Sequence, residues 1–380
     1  EFFRAARRLR LRNATLAAFG ATRRRGLAAK DDPGLASLLS ANTETVVVFG
    51  KSWDFHVERV LGASLAENPD MIAETVAFLA AEGRRVVFDA EHYFDGYAAA
   101  PDYALDCLRS ALEGGAAWLA LCDTNGGRLP EEIASGVAAA QAVMAARGYR
   151  AELGIHAHND SGLAVANSLA AVGAGARMVQ GTLAGFGERC GNANLSTLVG
   201  CLELKLGRRC LAGGTGLAGL SIAVRRVAEA ANVTLDEGLP FVGHRAFAHK
   251  AGLHVAALRR TLDSYQHIDP ALVGNEMRFL ISDLSGRGNV LHQAEKLGMD
   301  LSSDKAHAIL EEIKRLEHQG YVFEGAEASV TLMLHRVAEG YKPPFELINF
   351  STIVSRNRNN EMVIEARSEE RRVGKECRSR

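Results

Sequence analysis

Two histidines near the middle of the chain have the spacing of a metal site. They are His156 and His158, in the stretch Gly154-Ile-His-Ala-His-Asn-Asp160. Side chains two positions apart on a strand point to the same face, and imidazole pairs placed in this way bind divalent metals. A polar strand end whose histidines are satisfied by hydrogen bonds is the alternative, so the pair by itself leaves both interpretations open.

A glycine-rich segment after the next predicted strand offers a third ligand. It reads Gly185-Phe-Gly-Glu-Arg-Cys-Gly-Asn-Ala-Asn194, and its glycines allow the backbone to fold tightly over a ligand. Within it, Asn192 supplies a neutral oxygen. A glycine-rich turn capped by Glu188 and Arg189 would also explain the segment, but its position next to the histidine pair favours the metal site.

Other polar residues at predicted strand ends are candidates for proton transfer and substrate binding. Glu91 lies among aromatic residues and is a candidate general acid or base, although a solvated loop carboxylate is an equally good interpretation. Thr124 could donate a hydrogen bond to an acidic substrate, or simply stand in the turn before a helix. One of His249 and His254 is a candidate catalytic residue, but a packed or surface position on a helix would also explain them.

The elements that must position these residues recur along the chain as short apolar runs, each followed by a helix-like stretch. Repeated β-α units predict a parallel sheet. Polar residues end nearly every run, which favours a barrel, where many strand ends carry the chemistry, over an open sheet with one switch point. The predicted strands cover residues 14–19, 45–49, 85–89, 118–122, 152–157 and 177–183.

Six predicted strands are two fewer than a barrel needs, so we expect a TIM (β/α)8 barrel that lacks its first two β-α units. Phe2, Ala5, Ala6 and Leu9 share one helical face. We therefore expect a helix under way at residue 1 and a natural N-terminus upstream.

Helices are predicted at 71–81 and 302–320, a polar connection at about 282–289, and strand-like runs at 345–354 and 362–366. A helical linker region and the start of a C-terminal α+β regulatory domain should therefore follow the barrel. The predicted divisions are a partial barrel at 1–205, linker subdomains at 206–322, the truncated regulatory start at 323–366 and a non-native tail at 367–380.

Composition excludes several classes of protein. The 380 residues contain 44 Lys and Arg against 45 Asp and Glu, a net charge of -1, which argues against a general nucleic-acid binder. No apolar run reaches the roughly 18 residues that span a membrane. Six cysteines without a C-x-x-C pair predict reduced thiols and a cytoplasmic protein.

Two motifs together carry a family resemblance. The sequence contains L-x-x-H-x-H-N-D-x-G from Leu153, followed by G-x-G-E-R-x-G-N-x-x-L from Gly185. Over residues 1–366 the chain resembles the 2-isopropylmalate, homocitrate and citramalate synthase family. The stretches FGKSWDFHV, DAEHYFDGY, LCDTNGG, FAHKAGLH and LSGRGN look closest to the citramalate branch.

The resemblance implies a role for each candidate residue. The family's N-terminal motif Asp-x-Thr-Leu-Arg-Asp-Gly, which supplies a further metal ligand and a catalytic arginine, does not occur in this sequence. This agrees with the strand count, and we expect the chain as given to be much less active than its parent. The resemblance implies that His156, His158 and Asn192 bind the metal and that Glu91 and His254 are acid–base catalysts. It implies that Thr124 binds the carboxylate of the keto acid and that Tyr265 has a supporting role in catalysis.

The activity implied by the resemblance is an acyltransferase reaction that condenses acetyl-CoA with pyruvate to give citramalate and CoA, for isoleucine biosynthesis. It implies a divalent metal (Mn, Mg, Co or Zn), a homodimer at full length, and neither nucleic-acid nor membrane partners. A 2-isopropylmalate or homocitrate synthase that takes a larger 2-oxo acid remains open. A hydroxymethylglutaryl-CoA-cleaving relative is disfavoured by the motifs after the barrel. The alternative of another class is an inactive, metal-binding barrel remnant.

Overall fold

The computed structural model describes residues 1–372 except 213–215, 251, 259, 262–263, 283–284, 324 and 339. The described chain forms two compact units. The first comprises Glu1–Ala246 with Pro270–Asn275, and the second comprises Phe247–Asp269 with the described residues from Glu276 onwards. None of the described helices is both long and apolar enough to cross a membrane.

A six-stranded parallel sheet forms the centre of the first unit, with its strands in sequence order. All six predicted strands are confirmed, although the first lies two to three residues later than predicted. The last strand is shorter than predicted because the chain leaves the sheet before Thr182 and then enters a 3-10 turn. The Thr182 amide donates its hydrogen bond to the Ala193 carbonyl, outside the sheet. The strands are β1 Ala17–Ala21, β2 Thr45–Lys51, β3 Arg85–Glu91, β4 Trp118–Asp123, β5 Glu152–Ala157 and β6 Met178–Gln180.

Helices follow the strands of this sheet, and several begin where the sequence places a proline. Pro33, Pro101 and Pro130 each occupy the first turn of a helix, where a missing N–H costs nothing. The helix predicted at 71–81 begins four residues earlier, so that Pro69 falls in its first turn. The helices of this unit are α1 Phe2–Ala6, α2 Pro33–Ser40, α3 Asp54–His56, α4 Glu67–Ala81, α5 Tyr93–Ala99, α6 Pro101–Glu113, α7 Pro130–Arg147, α8 Ala164–Gly173, α9 Leu195–Leu204 and α10 Leu220–Ala231.

The two faces of the sheet differ in chemistry. Val48 and Phe88 belong to the face that is buried in one continuous apolar core. Residues of the alternate set occupy the other face, which is concave. Its curvature is shown by Gln180 on β6, whose amide nitrogen donates to Asp89 on β3 at 2.8 Å across two intervening strands. In a flat sheet those strands would lie about 14 Å apart, so the sheet is bent like part of a barrel wall.

The second unit is built mainly from helices. Val290, Ile313 and Leu334 are buried at the centre of its apolar core. The helix predicted at 302–320 is confirmed as α13, with Ser302 capping its first turn. The predicted polar connection at 282–289 is too long, because the next helix already starts at Arg287. The elements are β7 Ala248–His249, α11 Gly252–Leu258, β8 Arg278–Phe279, α12 Arg287–Lys296, α13 Ser303–His318, α14 Glu327–Val337, β9 Phe345–Arg356 and β10 Met362–Arg372.

Strands β9 and β10 pair as an antiparallel hairpin, which confirms the strand-like runs predicted at 345–354 and 362–366. Because β10 continues to Arg372, the first six residues of the predicted tail are paired with β9, and residues 373–380 lie outside the described residues. The predicted boundary at residue 205 and the regulatory identity of the C-terminal part stay predictions. The compact units themselves divide at Ala246.

Candidate active site at the carboxyl ends of the strands

The paired histidines lie at the end of β5 with their rings together. The centroids of His156 and His158 are 4.9 Å apart. In both rings Nδ1 is buried and makes no hydrogen bond within the described chain. Burial, together with the nearby His158, lowers the pKa of His156 to about 4. His156 is therefore neutral at physiological pH and has a lone pair available for a ligand.

Asn192 joins the histidines from the glycine-rich segment. It forms an antiparallel bridge with His158, and its amide nitrogen donates to the Phe186 carbonyl at 3.0 Å. Its Oδ1 atom is buried and accepts no hydrogen bond from the described residues. The hydrogen bond to Phe186 thus fixes the amide nitrogen and leaves the oxygen without a partner among the described residues.

These three orphaned atoms fit a divalent metal. Buried polar atoms are nearly always hydrogen-bonded, so two ring nitrogens and an amide oxygen left unpaired on neighbouring residues of the fold indicate a ligand site. That donor set suits first-row metals. The described residues contain no cluster of three or more His, Cys, Asp or Glu side chains that could hold a metal. The Asn192 oxygen is therefore the candidate third ligand.

Two glycines let the chain wrap around Asn192. A Cβ atom on Gly187 would overlap the Asn192 amide. Gly191 has a φ of +88°, and a Cβ there would overlap the carbonyl oxygen of Gly185. The tight backbone expected from the sequence is therefore present, and it encloses the amide.

Glu91 is paired with a lysine that the sequence analysis did not single out. Lys51 ends β2 and Glu91 ends β3 at paired positions, and Lys51 Nζ lies 2.6 Å from Glu91 Oε2. Both side chains are largely buried. Their equivalent places at the ends of adjacent strands were a signal that could have found Lys51.

Thr124 is engaged by the loop that follows Glu91. Its hydroxyl oxygen accepts a hydrogen bond from the His92 amide at 2.8 Å, and His92 has a left-handed backbone with φ of +59°. Because the oxygen is the acceptor there, the hydroxyl proton remains available for an acidic substrate. This arrangement suits the role that the resemblance assigns to Thr124.

A buried carboxylate holds the same loop in place. Asp95 accepts from Arg128 at 2.6 Å and contacts His92 Nδ1 at 3.0 Å. Burial alone would raise the pKa of Asp95, but the hydrogen bonds of His92 and Arg128 outweigh it and lower that pKa. The His56 ring lies 4.0 Å from His92. Burial, followed by the charges of His92 and Lys51, lowers the pKa of His56.

A bidentate ion pair connects the loops after three neighbouring strands. Arg189 Nε and Nη2 reach the two carboxylate oxygens of Asp160 at 2.7 and 2.9 Å. Nη2 also donates to the Thr124 carbonyl at 2.8 Å. Arg189 thus ties the glycine-rich segment to the loop of the histidine motif, which is a wider role than capping its own turn.

The remaining candidates lie in the second unit and form a cluster of their own. The rings of His254 and Tyr265 stack with centroids 4.1 Å apart. His249 contacts the Gln266 amide at 3.3 Å. Burial and the neighbouring His254 lower the pKa of His249.

Comparison with known proteins gives the same fold. Residues 11–220 match the HMGL-like family, and residues 241–321 match the homocitrate synthase post-HMGL domain-like family. The solved HMG-CoA lyase of Bacillus subtilis superimposes with a TM-score of 0.50 at 19% identity, covering 62% of this chain and 76% of the lyase. This likeness supports a barrel fold for the first unit.

Curated relatives are considerably closer in sequence. The (R)-citramalate synthase of Synechocystis sp. is 50% identical over 343 residues, which cover 89% of this chain and 62% of the relative. The (R)-citramalate synthase of Aquifex aeolicus is 44% identical over 363 residues, which cover 95% of this chain and 68% of the relative. The chain thus spans about two thirds of the length of these relatives. It belongs to the HMGL-like family, in the group that contains the 2-isopropylmalate, homocitrate and citramalate synthases.

Proposed function

We propose that the chain contains most of the catalytic part of a citramalate synthase, in which the barrel lacks its first two β-α units. The reaction joins acetyl-CoA, pyruvate and water to give citramalate and CoA. The observation that carries the proposal is the group of three unpaired buried atoms on His156, His158 and Asn192. The names of the relatives described above support the choice of reaction.

His156, His158 and Asn192 would hold a divalent cation such as Mn, Mg or Zn. When bound, the cation would supply Lewis-acid polarisation of a 2-oxo acid carbonyl. The neutral state of His156 favours this use, because only an unprotonated imidazole is a ligand.

The other side chains would divide the proton transfers and the binding between them. Thr124 donates its hydroxyl proton to the pyruvate carboxylate. Glu91, held by Lys51, removes a proton from the acetyl methyl group, and the resulting carbanion carbon forms a bond to C2 of pyruvate. The oxygen on C2 gains a proton. The acid–base role that the resemblance implies for His254, with Tyr265 in support, remains part of the proposal. Water then cleaves the thioester, and CoA leaves as the thiol.

A panel of 2-oxo acids tests the proposal. The protein would be a longer version of the chain that carries the family's Asp-x-Thr-Leu-Arg-Asp-Gly motif, assayed for CoA release with Mn or Mg. We expect pyruvate to give the highest kcat/KM. A higher value for 2-oxoisovalerate or 2-oxoglutarate would instead support 2-isopropylmalate or homocitrate synthase. Metal binding without CoA release from any acid would indicate an inactive barrel.

A further inference from the structure

The ion pair between Asp160 and Arg189 completes a short ladder that begins at two proposed metal ligands. His158 and Asn192 form the antiparallel bridge at one end. One step further, the amide of the residue after His158 donates to the carbonyl of the residue before Asn192 at 2.9 Å. The carboxylate and the guanidinium then meet through two contacts, of 2.7 and 2.9 Å. The ion pair therefore joins the two segments that carry these ligands.

The same guanidinium also reaches the residue that is proposed to bind the substrate carboxylate. Arg189 Nη2 donates to the Thr124 carbonyl at 2.8 Å, while the Thr124 hydroxyl accepts from the His92 amide at 2.8 Å. Thr124 is thus held at its backbone by Arg189 and at its side chain by His92. A guanidinium can make all these contacts at once because its donors are fixed in a planar fork.

The backbone of Arg189 has a conformation that favours glycine. Its φ is +53°, in the left-handed region that glycine adopts more easily than any other residue. Gly187 and Gly191 lie two positions away on either side. A glycine at position 189 would therefore meet the backbone requirement at lower cost, and the arginine that stands there supplies a side chain that glycine lacks.

Stability of the fold does not account for this ion pair. The side chain of Arg189 is 44% exposed and that of Asp160 is 25% exposed. Pairs with this degree of exposure contribute little to stability, because water screens the charges and ordering the side chains costs entropy. Bidentate geometry instead provides orientation, which is what a site assembled from three loops requires.

We propose that Arg189, oriented by Asp160, is a positioning residue that fixes the metal ligands His158 and Asn192 relative to Thr124. The inference rests on the proposed function, from which it takes both the metal site and the substrate role of Thr124. Without the guanidinium, the two ligand segments lose a cross-link, so metal binding should weaken. The Thr124 carbonyl loses its donor as well, so binding of the 2-oxo acid should also weaken.

The first test measures the Mn²⁺ affinity of the purified chain by titration calorimetry. Arg189→Met should bind Mn²⁺ about 10-fold more weakly, at the lower end of the range for residues that support metal ligands. Arg189→Lys keeps the charge but not the fork, so it should recover part of the affinity. Arg147→Met is the matched control and should bind normally, because Arg147 forms an exposed ion pair with Glu113 at 2.6 Å between the ends of two helices.

A double-mutant cycle shows whether the two charged residues act as one unit. Asp160→Asn should weaken Mn²⁺ binding by a factor similar to that of Arg189→Met, and the double variant should lose little more than either single variant. Fully additive losses would overturn the orienting role of Asp160.

The second test separates positioning from a loss of folded protein. In the longer enzyme at saturating Mn²⁺, Arg189→Met should raise the KM for pyruvate roughly 10-fold, as for the loss of a hydrogen bond to a charged group. The KM for acetyl-CoA should stay nearly unchanged. A merely structural defect would reduce the folded fraction, and so lower kcat without moving either KM.

The outcomes distinguish this inference from the function on which it rests. Mn²⁺ binding by the unsubstituted chain with unchanged affinity in Arg189→Met, or an unchanged KM for pyruvate in that variant, would overturn the positioning role and leave the metal site standing. Absence of Mn²⁺ binding in the unsubstituted chain would overturn both. Should Arg189→Met fail to fold, as judged by circular dichroism, unchanged Mn²⁺ affinity in both Arg189→Lys and Asp160→Asn would contradict the proposal.

Discussion

At the scale of single residues, the candidate site is defined by unpaired buried atoms on two histidines and an asparagine. His156, His158 and Asn192 are close in sequence to one another, and local strand and turn geometry is enough to bring them together. The Lys51–Glu91 ion pair and the Gln180–Asp89 hydrogen bond each join residues on different strands, and the sequence analysis did not identify either contact. Such contacts depend on the register of the sheet, which a local pattern does not report.

Removing His156 should abolish metal binding. We expect His156→Ala to lose Mn²⁺ affinity by more than the 10–100-fold typical of second-shell changes, and to lose metal-stimulated CoA release in the longer enzyme. Calorimetry and the CoA assay measure the two effects. His318→Ala is the control, since that side chain is exposed and contacts only the carbonyl of Lys314 among the described hydrogen bonds. Retained metal-stimulated turnover would remove His156 from the ligand set.

Glu91 and Lys51 should behave as a coupled pair. Glu91→Gln should lower kcat by about 10²–10⁴-fold, the usual range for a general acid or base. Lys51→Met should lower kcat less, because the carboxylate remains but its ion pair is lost. Steady-state kinetics of both single variants and the double variant give the coupling. Fully additive effects would show that the ion pair does not assist Glu91.

The buried Asp89 should make stability depend on pH. Its pKa is about 7 in the folded chain against 3.8 for the free group, so the folded state keeps a proton that the unfolded state releases. The free energy of unfolding should therefore fall as pH rises from about 4 to 7, by at most about 4 kcal/mol, and stay low above that. Urea denaturation at several pH values measures this, and Asp89→Asn should flatten the curve. An unchanged slope in that variant would contradict the assignment.

At the scale of elements, the sequence predicted the order and type of the strands and helices of the first unit, with errors mainly at their ends. The early start of α4 illustrates why. Asn68 is buried and its amide nitrogen donates to the Lys51 carbonyl. This tertiary contact favours a helix that begins before Pro69, at Glu67, whereas the prediction placed its start after the proline. Local rules give the element, and packing sets its limits.

The glycine-rich segment should not tolerate a larger residue at Gly187. Gly187→Ala places a Cβ against the Asn192 amide, so we expect weaker Mn²⁺ binding and a lower Tm. Gly173→Ala is the matched control, because open space surrounds that position at the end of α8 and alanine favours a helix by about 1 kcal/mol. Calorimetry and thermal denaturation compare the two. Equal effects would show that the segment does not shape the site.

At the scale of the whole molecule, the six-stranded sheet ends at β1 and β6 in the described chain. Unpaired strand edges promote association with other chains, so we expect the chain as given to form oligomers or aggregates. Size-exclusion chromatography with light scattering measures the mass, and a stable monomer at micromolar concentration would count against this expectation. The sequence predicted the parallel sheet at this scale. It could not predict the concave crossing of Gln180, which depends on the curvature of four strands together.

The bond between Asp89 and Gln180 joins positions 91 residues apart, and it can form only after the two strands between them have paired. Contacts of such long range carry a large loop-closure entropy, and we expect this one to form after the rate-limiting step of folding. Loss of the Gln180 amide should therefore accelerate unfolding while leaving the refolding rate nearly unchanged. This single hydrogen bond across the concave face would then slow the unfolding of the native chain.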